Sequence, residues 1–335
     1  MLTGSSGCGR IQLMLFDLAQ TIVGIALLYW GGEWLVKGAT QLASVLSVGR
    51  VVIGLTVVAF GTSAPELAAS LIATFSGVPE VAYGNVVGSN IANIGLILGV
   101  AALIVPLRTS LRFLLRQVPF MILVTVLGLG FAWDGRLARI EGVVLLLLLA
   151  AFVRVLFRRP NTDQAASSLA GVDNPINSGE QLPNSEAAHT LIPSVLITAA
   201  GIGLLTIGAN VLIQGATGVA VTLGISKRVI GLTLVAVGTS IPELAAAIVA
   251  TAKREYDLVL GNVVGSNIFN ILAVFGATAT INPFRFGVGP TPLEVYAVMG
   301  FAIAMIPLMI WGLRISRTGG VILLAAYAFY VSRLF

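Results

Sequence analysis

The sequence predicts an all-α polytopic membrane protein: about ten transmembrane helices arranged as two inverted five-helix repeats, with broken helices at the centre. Three observations carry that prediction. First, 57% of the 335 residues are hydrophobic and only 10% charged, with a mean hydropathy of +0.99. A soluble chain carries about 25% charged residues, and here apolar runs long enough to cross a bilayer recur from end to end. Second, one stretch occurs twice. GLTVVAFGTSAPELAASLIATFSGVPEVAYGNVVGSNIAN, Gly54 to Asn93, returns as GLTLVAVGTSIPELAAAIVATAKREYDLVLGNVVGSNIFN, Gly231 to Asn270. The offset is constant and gapless, since 243 − 66 and 270 − 93 both give 177. Third, both copies set a glutamate beside a proline inside an apolar run, which is costly in a membrane unless something uses it.

In chain order, the first span is expected at about Leu13 to Ala39, closed by a turn at Ser47–Arg50. Its tail, LVKGATQLA at 35–43, reappears as LIQGATGVA at 212–220, so it belongs to the fold and not to a cleaved signal. The second span starts near Val51, is interrupted at Gly61-Thr62-Ser63-Ala64-Pro65 and continues to about Phe75, where Gly77-Val78-Pro79 breaks it. A third runs from about Val81 to Val105. A fourth follows at about Pro119 to Trp133, after Arg108, Arg112 and Arg116, and a fifth at about Glu141 to Phe157. Residues 1–158 thus form the first repeat. The segment 159–190 is polar, rich in Pro, Asn, Ser and Gly, and without periodicity, which reads as a flexible linker. The second repeat, 191–335, has spans at about Leu191–Ala216, Val229–Ala252 (broken at Gly238–Pro242), Leu258–Ile281, Pro292–Leu313 and Gly319–Leu334. Five spans per half is odd, so the halves must enter the membrane with opposite orientations. Inverted repeats with broken helices are a signature of secondary transporters.

The net charge of +5 sits in short loops between apolar runs, a positive-inside pattern and not a nucleic-acid face. With both termini outside, the cytoplasmic loops hold Arg50, Arg108, Arg112, Arg116, Arg158, Arg159, Lys253, Arg254, Arg314 and Arg317. The single cysteine, Cys8, and the single histidine, His189, lie in polar segments, so disulfide, thiol and zinc chemistry are excluded.

The broken spans are suited to a hard cation. Pro65 has no N–H, so the Gly61 carbonyl loses its helical partner and the turn through Thr62 loosens. Freed carbonyls at membrane depth need a partner. Glu66 adds a full charge there, and Thr62 and Ser63 add hydroxyls. An all-oxygen set suits Ca²⁺ or Na⁺ over a transition metal. On the next span Asn85, Ser89 and Asn93, spaced i, i+4, i+8, share a face, with Gly84 and Gly88 permitting close approach. The second copy supplies Gly238, Thr239, Ser240, Pro242 and Glu243, then Gly261, Asn262, Gly265, Ser266 and Asn270. Two bare carboxylates brought together would repel; a divalent cation, Na⁺ ions or two protons would cancel the charge. A site emptied of one must be refilled by another, which is the basis of exchange. Each piece also has a structural explanation, a kink with a buried acid or polar glue between helices, but two copies in register weigh against it.

These residues resemble the cation/calcium exchanger superfamily, in particular its sodium/calcium exchanger branch of prokaryotic type. The resemblance rests on GTSAPE and GNVVGSNIAN, then GTSIPE and GNVVGSNIFN, and covers the whole ten-span chain, weakest in the linker. It implies an antiporter moving Ca²⁺ out of the cytoplasm against inward Na⁺ by alternating access. Carried over by position, Glu66 and Glu243 resemble the acidic Ca²⁺ ligands, helped by the Thr62 and Thr239 carbonyls. Ser63, Ser240, Ser89 and Ser266, with the carbonyls of Ala59 and Ala236, match flanking Na⁺ positions, and Asn93 and Asn270 match a central polar pair. Some relatives have aspartate at the position of Asn270; in potassium-dependent ones it accompanies K⁺ co-transport, so the asparagine implies independence from K⁺. Coupling to H⁺ through the same glutamates is the alternative. Transported ions are substrates, and no cofactor or obligate protein partner is implied beyond the bilayer. An intramembrane enzyme would need a nucleophile or base near Glu66 or Glu243, and no His, Cys or Lys is close in sequence.

Overall fold

The structure is a computed structural model and describes residues 5–158, 184–225, 238–287 and 289–334. The first half contains α1 (Ser5–Val45), α2 (Arg50–Thr62), α3 (Ala64–Phe75), α4 (Pro79–Ile104), α5 (Leu111–Phe131) and α6 (Arg139–Arg158). The second contains α7 (Asn184–Thr222), α8 (Ile241–Ala252), α9 (Tyr256–Ile281), α10 (Pro292–Ile310) and α11 (Arg317–Ser332). Helices α2 and α3 form one span bent by 40°. The bend falls at Ser63 (φ −84°, ψ 4°), and its counterpart Ser240 (φ −90°, ψ 5°) precedes α8 in the same way. The expected all-α, two-repeat, membrane-spanning architecture is therefore present, and this is a multi-pass integral membrane protein. Most of the 159–190 linker, and Ala236 with the rest of 226–237, lie outside the described residues.

Several helices are longer than their apolar windows. Helix α1 begins at Ser5, inside the polar tail, and α7 begins at Asn184, inside the expected linker. Helix α5 begins eight residues before Pro119: the Ser110 hydroxyl accepts from the Phe113 N–H and caps it, so Arg112 and Arg116 lie in its first turns. Hydropathy marks where a helix enters lipid and not where its hydrogen bonds start.

The inversion is visible in side-by-side contacts. Helices α1 and α7 hold equivalent places in the two repeats and pack along much of their length, antiparallel. Gly24 faces Leu212, Gly31 faces Leu205 and Gly38 faces Thr198, one number rising as the other falls. The glycines of this seam recur every seven residues on both helices, Gly24, Gly31 and Gly38 answering Gly201, Gly208 and Gly215. With no hydrophobic drive between helices in lipid, backbone contact at small residues is what holds such a pair. Two short ribbons obey the same two-fold: β1 (Leu107–Arg108) pairs with β4 (Arg314–Ile315), and β2 (Arg136–Leu137) pairs with β3 (Phe284–Arg285), both antiparallel.

Burial does not follow hydropathy. The most apolar stretch, in α6 (hydropathy 2.5), is only 11% buried, whereas the most apolar stretch of α9 (1.8) is 100% and that of α4 (1.9) 72% buried. The polar stripes of α4 and α9 can be satisfied only by protein, so those helices take the centre and α6 faces lipid. Both central helices widen to a π-helix at the same repeat position, Asn93–Leu98 and Asn270–Phe275, a local distortion common at functional sites.

Arg50, the first residue of α2, donates to Glu255, which precedes α9, at 2.7 Å. The Arg50 side chain is 32% exposed, so Arg50→Ala should cost no more than about 1 kcal/mol. The swap Arg50→Glu with Glu255→Arg should recover thermal stability; a swap no better than Arg50→Glu alone would refute the pairing.

Candidate cation site

The bend of the first repeat and the equivalent residues Gly238–Ser240 of the second lie beside α4 and α9. Glu66 and Glu243, in the first turns of α3 and α8, are each 1% exposed. Proline at the second position of both helices explains their place: Pro65 and Pro242 cannot continue a preceding helix but start a new one well, and the glutamate after each sits at the helix N-terminus, where an anion is favoured.

The hydroxyls are crossed between repeats. Ser63 donates to Glu243 Oε1 at 3.5 Å, with Thr62 also beside that carboxyl. Thr239, Ser240 and Ser89 surround the carboxyl of Glu66. The sequence puts Thr62 and Ser63 at the same break as Glu66; the structure adds that they face the glutamate of the other repeat. The residues before α3 and α8 thus present their hydroxyls across the pseudo-two-fold to the glutamate of the other repeat. The same exchange links each bend to the opposite central helix: Thr62 donates to Asn262 Oδ1 (3.2 Å) and Thr239 to Asn85 Oδ1 (3.3 Å), which are two-fold counterparts. Ser240 donates to Ser89 at 3.4 Å.

Four carbonyl or carboxyl oxygens in this region are buried without a hydrogen-bond partner: Glu66 Oε2, Glu243 Oε2, Asn93 Oδ1 and Asn270 Oδ1. The hydroxyl of Ser266, 0% exposed, is likewise unpartnered. Buried oxygens left bare cost free energy, and a hard cation is the ligand that an oxygen-only set fits. Among the described residues no basic side chain pairs with either glutamate. Nor do three or more His, Cys, Asp or Glu converge there, so hydroxyls, amides and backbone must complete any coordination. The Ala59 carbonyl is engaged within the bend, accepting from the Ser63 N–H at 3.0 Å.

The glycine expectation holds for the second copy. A Cβ on Gly261 would meet the Val51 carbonyl at 2.8 Å and Gly54 Cα at 3.0 Å, so α9 touches α2 backbone to backbone. Among the described residues of other elements, nothing stands within 4 Å of a Cβ built on Gly84 or Gly88. Their two-fold neighbours fall in 226–237, outside the described residues.

The profile of the sodium/calcium exchanger protein family matches twice, over residues 16–158 and 193–335, the same offset once more. This chain belongs to the sodium/calcium exchanger family. CaxA of Alkalimonas amylolytica is 38% identical over 326 residues, covering 96% of this chain and 99% of that one. The sodium/calcium exchanger MaX1 of Methanosarcina acetivorans is 32% identical over 342 residues, covering 94% and 97%. Among solved structures, the sodium-calcium exchanger NCX_Mj soaked with 10 mM Na⁺ and zero Ca²⁺ superposes with a TM-score of 0.81 at 29% identity, covering 96% of this chain and 100% of that one.

For this exchanger-family chain, sequence reading missed three partners. Asn90 and Asn267, beside the serines of the GNVVGSN motifs, bridge the repeats: Asn90 accepts from Asn270 Nδ2 at 3.0 Å and Asn267 Oδ1 from Asn93 Nδ2 at 3.2 Å. Ser70 accepts from Asn85 Nδ2, which also donates to the Glu66 carbonyl, each at 3.0 Å. Its repeat counterpart is Ala247, and the equivalent amide nitrogen of Asn262 has no partner. The appearance of Asn90 and Asn267 in both copies of the motif was the available signal.

Proposed function

We propose that this chain is a secondary active antiporter that exchanges Ca²⁺ for Na⁺ by alternating access, with one cation site between Glu66 and Glu243 near the membrane midplane. The observation that carries the reading is the pair of buried glutamates, each with an unpartnered oxygen and each faced by the other repeat's hydroxyls. A site built from both repeats changes shape when the repeats move relative to one another, which is what a carrier requires. Glu66, Glu243 and the carbonyls at Thr62 and Thr239 would take Ca²⁺. Ser63, Ser240, Ser89 and Ser266, with the Ala59 and Ala236 carbonyls, would hold Na⁺, and Asn93 and Asn270 would complete the centre. The chain would reside in a prokaryotic inner membrane with both termini outside, and residues 159–190 would join the halves without entering the site.

The test is ⁴⁵Ca²⁺ uptake into proteoliposomes with an outward Na⁺ gradient or an outward H⁺ gradient, the membrane potential clamped. Accumulation driven by Na⁺ alone is expected. Accumulation driven by H⁺ alone would overturn the Na⁺ coupling and make the glutamates proton carriers. Equilibration with no accumulation under either gradient would indicate a channel.

A further inference from the structure

Between α4 and α9 four asparagines from the two motifs interlock, and all four are buried: Asn90 and Asn93 at 1% exposure, Asn267 at 2% and Asn270 at 1%. Asn270 gives its amide N–H to Asn90 Oδ1 (3.0 Å), and Asn93 gives its own to Asn267 Oδ1 (3.2 Å). These bonds are two-fold counterparts, since 267 follows 90, and 270 follows 93, by the repeat offset. Both leave the outer amide with its nitrogen committed and its oxygen bare: Asn93 Oδ1 and Asn270 Oδ1 have no partner. They stand one helical turn beyond Ser89 and Ser266.

An asparagine amide can be turned end for end at little steric cost, so something must decide which end is presented. Here the inner pair is itself anchored. Asn90 Nδ2 donates to the Asn267 carbonyl at 3.3 Å, forcing Asn90 Oδ1 toward Asn270. Asn267 Nδ2 is directed at the Met121 sulfur at 3.5 Å, which turns Asn267 Oδ1 toward Asn93. Reversing either inner amide would set N–H against N–H between buried side chains, where a lost hydrogen bond is costly.

We infer that Asn90 and Asn267 are positioning residues: they hold the amides of Asn93 and Asn270 oxygen-first toward the cation site proposed above, and neither touches the ion. The inference rests on that site reading. It also accounts for asparagine at position 270, because an amide can both donate to Asn90 and present an oxygen, whereas an ionised aspartate would face Asn90 Oδ1 with no proton to share. The anchors differ in strength, a carbonyl for Asn90 and a weakly accepting thioether for Asn267. Loss of Met121 should therefore affect only the Asn93 arm.

A double-mutant cycle tests this, read by equilibrium ⁴⁵Ca²⁺ binding to purified full-length protein whose folding is verified by thermal melting. Asn270→Ala and Asn90→Ala should each weaken Ca²⁺ binding about tenfold, the lower end of what loss of an orienting partner costs a metal site. In the Asn270→Ala background, Asn90→Ala should cost no more than about twofold further, because there is no amide left to orient. In the Asn93→Ala background Asn90→Ala should keep its full effect, and Asn267→Ala should lose its own. Additive losses for Asn90 and Asn270 would overturn the positioning role and mark Asn90 as a packing residue, as would wild-type binding by Asn90→Ala when Asn270→Ala is impaired. Wild-type binding by both Asn270→Ala and Asn93→Ala would instead remove the asparagines from the site, and the inference with them.

Discussion

Glu66→Gln and Glu243→Gln should each reduce Ca²⁺ uptake at least about a hundredfold while leaving the protein folded and inserted. Glutamine keeps the shape of the side chain and an oxygen that can accept from the crossed hydroxyls, so local packing is preserved. What it removes is charge. At an effective dielectric near 20, one carboxylate about 2.5 Å from a divalent ion contributes on the order of 10 kcal/mol before desolvation is subtracted. A hundredfold loss needs only about 2.7 kcal/mol, so even a heavily discounted charge loss exceeds it. The measurement is uptake by each variant in proteoliposomes matched for inserted protein. Near-normal exchange by either would sink the two-carboxylate site, since no third acid, histidine or cysteine cluster among the described residues could replace it.

Gly31→Val should destabilise the fold at the α1–α7 seam. A Cβ at this position would lie 2.7 Å from the Leu205 backbone nitrogen and 3.0 Å from the Gly201 carbonyl oxygen. Both are backbone atoms of α7 and cannot rotate away. The helices must separate along a seam that carries close glycine contacts every seven residues, and overpacking of this kind costs about 1–3 kcal/mol locally. Thermal stability in detergent should fall and the yield of monodisperse protein should drop several-fold. Gly203→Val provides the comparison: the site lies on the partner helix α7, and nothing among the described residues stands within 4 Å of a Cβ there. Equal losses at Gly31 and Gly203 would show that helix propensity, and not the α1–α7 contact, sets the cost.

Much of this was legible in the amino-acid order. The gapless offset of 177 implied two copies of one unit, and the odd number of spans in each implied that they are inverted. Both inferences need only hydropathy and counting. Pro65 located the bend of the first repeat and Pro242 the start of α8 because a missing N–H is a local chemical fact, and Glu66 and Glu243 beside them are explained by the same few residues. Helix ends were less legible: α1, α5 and α7 run into polar sequence, where the cap at Ser110 and hydrogen bonding, not lipid solubility, decide the start. The Gly24 and Gly201 seams are also regular in sequence, but their regularity acquires meaning only once a second helix lies against it.

Tertiary structure alone decided who faces whom. Ser63 is three residues from Glu66 and 180 from Glu243, yet its hydroxyl serves Glu243. Asn90 is three residues from Asn93 and 180 from Asn270, yet it binds Asn270. Sequence determines what each bend can offer, because proline, hydroxyl and carboxyl chemistry is intrinsic to the residue. It cannot determine the recipient, because that is set by a two-fold axis passing between segments about half the chain apart.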